Sequence, residues 1–115
     1  MRPEEFVNAL KKVVTKSSVD GVESMLMSPP GRKPKKEILL ASKFYNERTE
    51  EEKKIIMDIV KLSVDNGVFG FLCVLDGVRA VENEDSKGEF ILIHRKQEDV
   101  ILNEDSDLHD YYNAT

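Results

Sequence analysis

Residues 66–78, Asn-Gly-Val-Phe-Gly-Phe-Leu-Cys-Val-Leu-Asp-Gly-Val, form the most apolar stretch of the chain, with charged sequence on both sides. A run of this kind leaves water first and obliges its neighbours to pack around it. It also poses the main structural choice. In one reading Gly67 ends the preceding helix and residues 68–75 are a buried strand, which their Val, Phe and Leu suit. In the other, a helix that begins at Glu50 runs on to about Asp76. Ile56, Ile59, Val60, Ser63, Gly67, Gly70, Phe71 and Val74 keep i/i+3/i+4 spacing throughout, and the period does not slip at Gly67. The long helix is the expected form. Its strip of Ser63, Gly67 and Gly70 would admit another element close to the backbone, and packing must offset about 1 kcal/mol per interior glycine.

Upstream the pattern is helical. Pro3 suits a first helical position and Glu4 and Glu5 suit the positive end of the dipole, so residues 3–16 read as a helix with Phe6, Leu10, Val13 and Val14 on one face. Ser17 and Ser18 are expected to break it. Ser18 would cap a shorter helix over 19–27, with Val22, Met25 and Leu26 on one side. Three prolines and Gly31 make 28–34 a loop. Pro34 introduces a helix over 35–46 with Ile38, Leu39, Ser42 and Tyr45 as its stripe. Thr49-Glu50-Glu51-Glu52 matches a capping box for the next helix.

Downstream the period changes to two. Residues 78–82 and 89–96 read as strands separated by a hydrophilic turn over 83–88, and 100–102 as a third. In the second strand Phe90, Leu92 and His94 alternate with Ile91, Ile93 and Arg95. Apolar residues on both faces make it the expected central strand. Residues 108–113 suit a last helical turn, with Ser106 or Asp107 as its cap. The fold expected is α+β: about four N-terminal helices packed on a small C-terminal antiparallel three-stranded meander. At 115 residues the chain suits a single domain, 1–115, with one core.

Charge is unevenly spread. Residues 1–61 hold 13 Lys/Arg against 10 Asp/Glu, a balance of +3, whereas 62–115 hold 4 against 12, a balance of −8. An acidic half of this kind repels nucleic acid and attracts basic proteins. No apolar run approaches the ~20 residues of a membrane helix. The first residues, Met1-Arg2-Pro3-Glu4-Glu5, lack the apolar block of a secretory leader, and one cysteine forms no internal disulfide. A cytoplasmic protein without membrane contact is expected.

Few residues are suited to chemistry. Cys73 is the single thiol, in an apolar run that favours a buried structural role over a nucleophilic one. His94 and His109 are the only histidines, and neither belongs to a metal-ligand spacing such as Cys-x-x-Cys or His-Glu-x-x-His. No metal and no cofactor is therefore expected. The oxygen-rich run 103–110 lacks the glycine and glutamate of an EF-hand loop and reads as a solvated acidic loop. Arg32 heads a basic cluster before a helix, Asp76 precedes Gly77 in a turn pair, and Arg79 or Arg32 is a candidate ion-pair partner for Asp76 in a cleft. These three, with Asn103, His109 and Asp110, are the candidate binding residues; a catalytic set is not identifiable.

The combination of Pro29-Pro30-Gly31-Arg32, Phe44-Tyr45-Asn46, the block from Phe69 to Val78, Leu102-Asn103 and Leu108-His109-Asp110 resembles a family of small bacterial proteins of unassigned function. The resemblance spans about residues 26–113 and implies no activity, so it transfers no catalytic residue. In size and charge the chain is also similar to immunity proteins of contact-dependent toxin systems, an analogy of general character. The leading expectation is a non-enzymatic protein-binding module, immunity-like or regulatory, whose acidic C-terminal half meets a basic partner. One alternative is a small enzyme or ligand- or metal-binding domain with Asp76, Asn103, His109 and Asp110 around a pocket. Another is a homodimer packed through Phe44, Tyr45 or Phe69.

Overall fold

The structure, a computed structural model, describes residues 1–83 and 88–114. The chain forms two compact units, Met1–Val14 with Asn66–Thr115, and Thr15–Asp65. In order along the chain come α1 (Pro3–Leu10), a π-helical segment (Lys11–Lys16), α2 (Ser17–Met27), α3 (Lys36–Asn46), α4 (Glu50–Leu75), β1 (Ile93–Arg95), β2 (Asp99–Ile101) and α5 (Leu108–Asn113). The architecture is α+β, with helices first and a small antiparallel sheet after them. No helix among the described residues is long and apolar enough to cross a membrane.

α4 takes the long form and passes through Gly67 without interruption. Its start is the expected capping box. The Glu52 amide donates to Thr49 Oγ1 at 3.1 Å, and the Thr49 amide donates to Glu52 Oε1 at 2.9 Å. Its end is a Schellman motif centred on Gly77. The Val78 amide donates to the Cys73 carbonyl at 3.0 Å, the Gly77 amide to Val74 at 3.1 Å, and Gly77 has φ of 79°. The strip of small residues is used at one point only. Gly70 is buried under the Arg79 guanidinium, which a Cβ there would strike, whereas Gly67 has nothing within 4 Å of such a position.

The same closing turn removes the expected first strand. The Val78 and Arg79 amides both return to the Cys73 carbonyl, and no strand forms over 78–82. Among the described residues two strands form instead of three, paired Ile93↔Ile101, His94↔Val100 and Arg95↔Asp99. A two-stranded hairpin has no central strand, so the outer face of the second expected strand finds no cover: Ile91, Ile93 and Ile101 are exposed. The inner face, Leu92 and Val100 with buried Leu102, packs on the core. Most of the expected turn at 83–88 lies outside the described residues.

The first unit's core is Val7, Leu72, Leu102, Leu108 and Tyr112, with Phe6, Leu10, Val68, Phe69 and Leu75 packed against it. Lys11 Nζ lies over the Tyr112 ring, 5.1 Å from its centroid. Cys73 is a buried free thiol. Two expectations for the N-terminus fail together. Ser17 and Ser18 do not break the helix; the backbone runs from α1 through the π-helical segment into α2, with Lys11 and Lys16 in the right-handed helical region. The wider π turn carries an extra residue, which rotates the register. Val13 and Val14 are thereby exposed, and Val7 and Thr15 are the buried positions.

In the second unit α2 and α3 pack together around Ser42 and Tyr45 of the expected stripe, while Leu39 is exposed. Ser42 Oγ donates to the Leu26 carbonyl at 2.7 Å, and Asn46 Nδ2 donates to the same carbonyl at 3.0 Å. These bonds satisfy the C-terminal carbonyls of α2 that the helix itself leaves open. Tyr45 is buried within the chain, whereas Phe44 is exposed and carries Arg48 over its ring at 4.4 Å.

The glycine geometry gives a paired expectation. Gly67→Ala, in open space inside a helix, stabilises by about 0.5–1 kcal/mol. Gly77→Ala, at positive φ, destabilises by about 1 kcal/mol. Denaturant midpoints of the two variants should move in opposite directions. The capping box adds a pH dependence. The Thr49 amide, by hydrogen bonding to Glu52, holds that carboxylate below the ordinary glutamate range. Its stabilisation is present above the unfolded-state pKa and disappears as pH falls through the lowered value. Melting temperatures of the native chain and Glu52→Ala should differ at neutral pH and converge in acid.

Candidate functional site

α4 ends at Leu75, α5 begins at Leu108, and the first unit brings these two termini together through side chains that sequence reading had singled out. Asp76 is the residue after α4, and its side chain is completely buried. Its Oδ2 accepts the backbone N–H of His109 at 2.8 Å and the His109 Nδ1–H at 2.7 Å. Thirty-three positions of sequence are closed by this pair.

The arrangement is a helix cap supplied from outside the helix. Asp107 occupies the N-cap position of α5 with extended backbone, yet its side chain makes no capping bond. The expectation of Ser106 or Asp107 as the cap is thus corrected: Asp76 satisfies the orphan amide of the first turn, and Ser106 Oγ lies 3.3 Å from the Tyr111 hydroxyl. His109 is held on a third side by Phe69, whose ring meets the imidazole edge-on at 5.8 Å and 78°. Phe69 is half-buried and packs against the core of the first unit.

Asn103 is a second clasp. Its Nδ2 donates to the Leu75 carbonyl at 2.8 Å and to the Phe90 carbonyl at 2.9 Å, while its Oδ1 accepts the Leu92 amide at 2.9 Å. One amide side chain thereby joins the last carbonyl of α4 to the strand that leads into β1. Only an amide oriented in this sense fits, since two carbonyls need a donor and the Leu92 N–H needs an acceptor.

The remaining candidates lie elsewhere. The Arg79 side chain rests against Gly70 rather than pairing with Asp76. Arg32 is exposed in the loop before α3 and belongs to the other unit. Asp110 is exposed, with Oδ1 3.4 Å from His109 Nε2. It also borders an open hollow of about 450 Å³, lined by Glu104, Asp105, Ser106, Asp107, Asp110 and Tyr111. Four carboxylates and no basic side chain line that hollow.

As chemistry, Asp76 and His109 have the connectivity of a carboxylate that orients an imidazole. The outward nitrogen, however, faces a carboxylate, and among the described residues no hydroxyl or thiol is hydrogen-bonded to it. Two features were not singled out from sequence. Asp107, Asp76 and His109 offer ligand atoms all within 4.8 Å of one another, and Asp76 Oδ1 is buried without any hydrogen-bond partner. The Asp107-x-His109 spacing was the visible trace of the first; nothing local announced the second.

Substitution at the clasps separates these roles. Asn103→Asp cannot donate to the two carbonyls and should destabilise as much as Asn103→Ala, by about 2–3 kcal/mol. Asp76→Ala leaves an amide and an imidazole N–H without their acceptor and costs about 1–3 kcal/mol; urea unfolding measures both. No family model, curated protein or solved structure matches the chain, so the site is read from its own geometry.

Proposed function

We propose that the protein is a non-enzymatic binding module whose acidic C-terminal segment docks a basic protein partner, in an immunity-like or regulatory role. The observation that carries this reading is how the polar groups are used. Asn103 is committed to backbone groups of α4 and the strand connection, and Asp76 to the backbone amide and ring of His109, which is structural work. Around the open hollow Glu104, Asp105, Asp107 and Asp110 are all exposed. Carboxylates clustered without counter-charge speed encounter with a cationic surface and select against anionic ones. The same unit also presents Ile91, Ile93 and Ile101, an apolar face of the kind a partner buries.

The homodimer reading has one specific support. Ile55, Ile59 and Leu62 make an exposed i, i+4, i+7 stripe on the first part of α4. Sedimentation velocity at micromolar concentration separates the two readings: a docking module runs as a monomer, a dimer does not.

For the leading reading the test is affinity capture from the host at low salt. The expected catch is a protein with a basic surface, released as ionic strength rises. The triple variant Glu104→Gln/Asp105→Asn/Asp110→Asn leaves both clasps intact and should lose at least tenfold in affinity for that protein. An empty capture, or retention by the triple variant at full strength, overturns the reading.

A further inference from the structure

We infer that Asp76, Asp107 and His109 form a binding site for a divalent transition-metal ion of the zinc class. The three side chains come from the joint between α4 and α5, and each offers one ligand atom, all within 4.8 Å. Tetrahedral ligands at about 2.0–2.2 Å from zinc stand roughly 3.3–3.5 Å apart, so closure onto an ion needs only small side-chain movement. Two carboxylates and an imidazole give a mixed oxygen and nitrogen set. Such a set suits zinc better than calcium or magnesium, which favour oxygen alone.

Two independent observations point to a cation rather than to a chance meeting of acids. The first is Asp76 Oδ1. It belongs to a side chain with no exposed surface, and no hydrogen-bond donor reaches it. A buried carboxylate oxygen without a partner costs free energy, and a cation bound there removes that cost. The second is Asp107. It stands at the N-cap, where an aspartate ordinarily spends its carboxylate on a backbone amide, and it does not do so. Asp76 has taken that task, and the exposed Asp107 keeps a carboxylate oxygen within 4.8 Å of the ligand atoms of Asp76 and His109.

The other side of the ring fits as well. With Nδ1 facing Asp76 and Nε2 3.4 Å from Asp110 Oδ1, His109 lies between the cluster and an outer carboxylate. Metal-bound histidines ordinarily donate their second ring N–H to such a group. Loading therefore moves the ring proton from Nδ1 to Nε2, where Asp110 accepts it, and Nδ1 turns its lone pair to the ion.

The test is titration of the purified full chain with Zn²⁺, and with Co²⁺ as a coloured substitute. The expected result is one saturable site, a melting temperature that rises with the ion, and nitrogen shifts showing His109 change from the Nδ1–H to the Nε2–H form. Asp107→Asn, which disturbs neither clasp, should weaken Zn²⁺ at least tenfold while leaving the melting temperature of the metal-free chain unchanged. Absence of saturable binding overturns the inference. So does binding that survives Asp107→Asn undiminished, which would mark Zn²⁺ as scattered over the acidic surface. Neither result bears on the capture experiment, whose triple variant retains all three ligands.

Discussion

Everything in the first unit rests on one carboxylate oxygen. Asp76 Oδ2 receives two donors from a residue far along the chain and does so without exposed surface. Its setting is electrostatically mixed. The C-terminal end of a 26-residue helix repels a negative charge, while the N-terminal end of a six-residue helix attracts one. The longer helix does not win, because Asn103 caps the Leu75 carbonyl and the Schellman turn engages Cys73 and Val74. The last carbonyls of α4 are thus screened by donors, and two short hydrogen bonds to Oδ2 decide the balance. What remains uncompensated is Oδ1.

The clasp explains why the core can be small. Five residues form the buried cluster of the first unit, and much of the apolar surface of the hairpin is left outside. Apolar burial of that extent leaves little margin against chain entropy. Directional bonds at the ends of α4 and α5 fix which surfaces meet, and so place Leu108 and Tyr112 against Val7 and Leu72. The second unit follows the same economy: Ser42 and Asn46 share the Leu26 carbonyl, and Tyr45 is buried in the same unit.

How much of this could be read from residues follows from the range of each interaction. The capping box at Thr49–Glu52 is complete within four residues, and it formed as read. The long α4 was legible because its period crosses Gly67 unbroken. Local signals failed where a more distant group or a wider turn intervened. Ser17 and Ser18 are weak helix formers, but nothing required them to stop a helix whose π turn had already shifted the register. Residues 78–82 have strand composition, yet the Cys73 carbonyl takes two of their amides before pairing can start. Asp76 reads from sequence as a turn residue, and Asn103 and His109 as members of an oxygen-rich run, but no periodicity joins positions 28 or 33 apart. Their roles as clasps were therefore invisible until the chain was closed.

Asp107 is the point at which the two functional readings meet. It lines the acidic hollow and also belongs to the three-residue cluster. A cation held by that cluster takes up part of the negative charge which a basic partner would otherwise meet. Two ligands that draw on one carboxylate are linked reciprocally: whatever factor the ion takes from the partner's affinity, the partner takes from the ion's. The sign of the coupling follows from charge alone and is negative. Its size is set by how much of the hollow's potential comes from Asp107, and from Asp110 through His109 Nε2, rather than from Glu104 and Asp105, which the cluster does not engage. If both proposals hold, an ion at the α4–α5 joint would moderate docking without abolishing it.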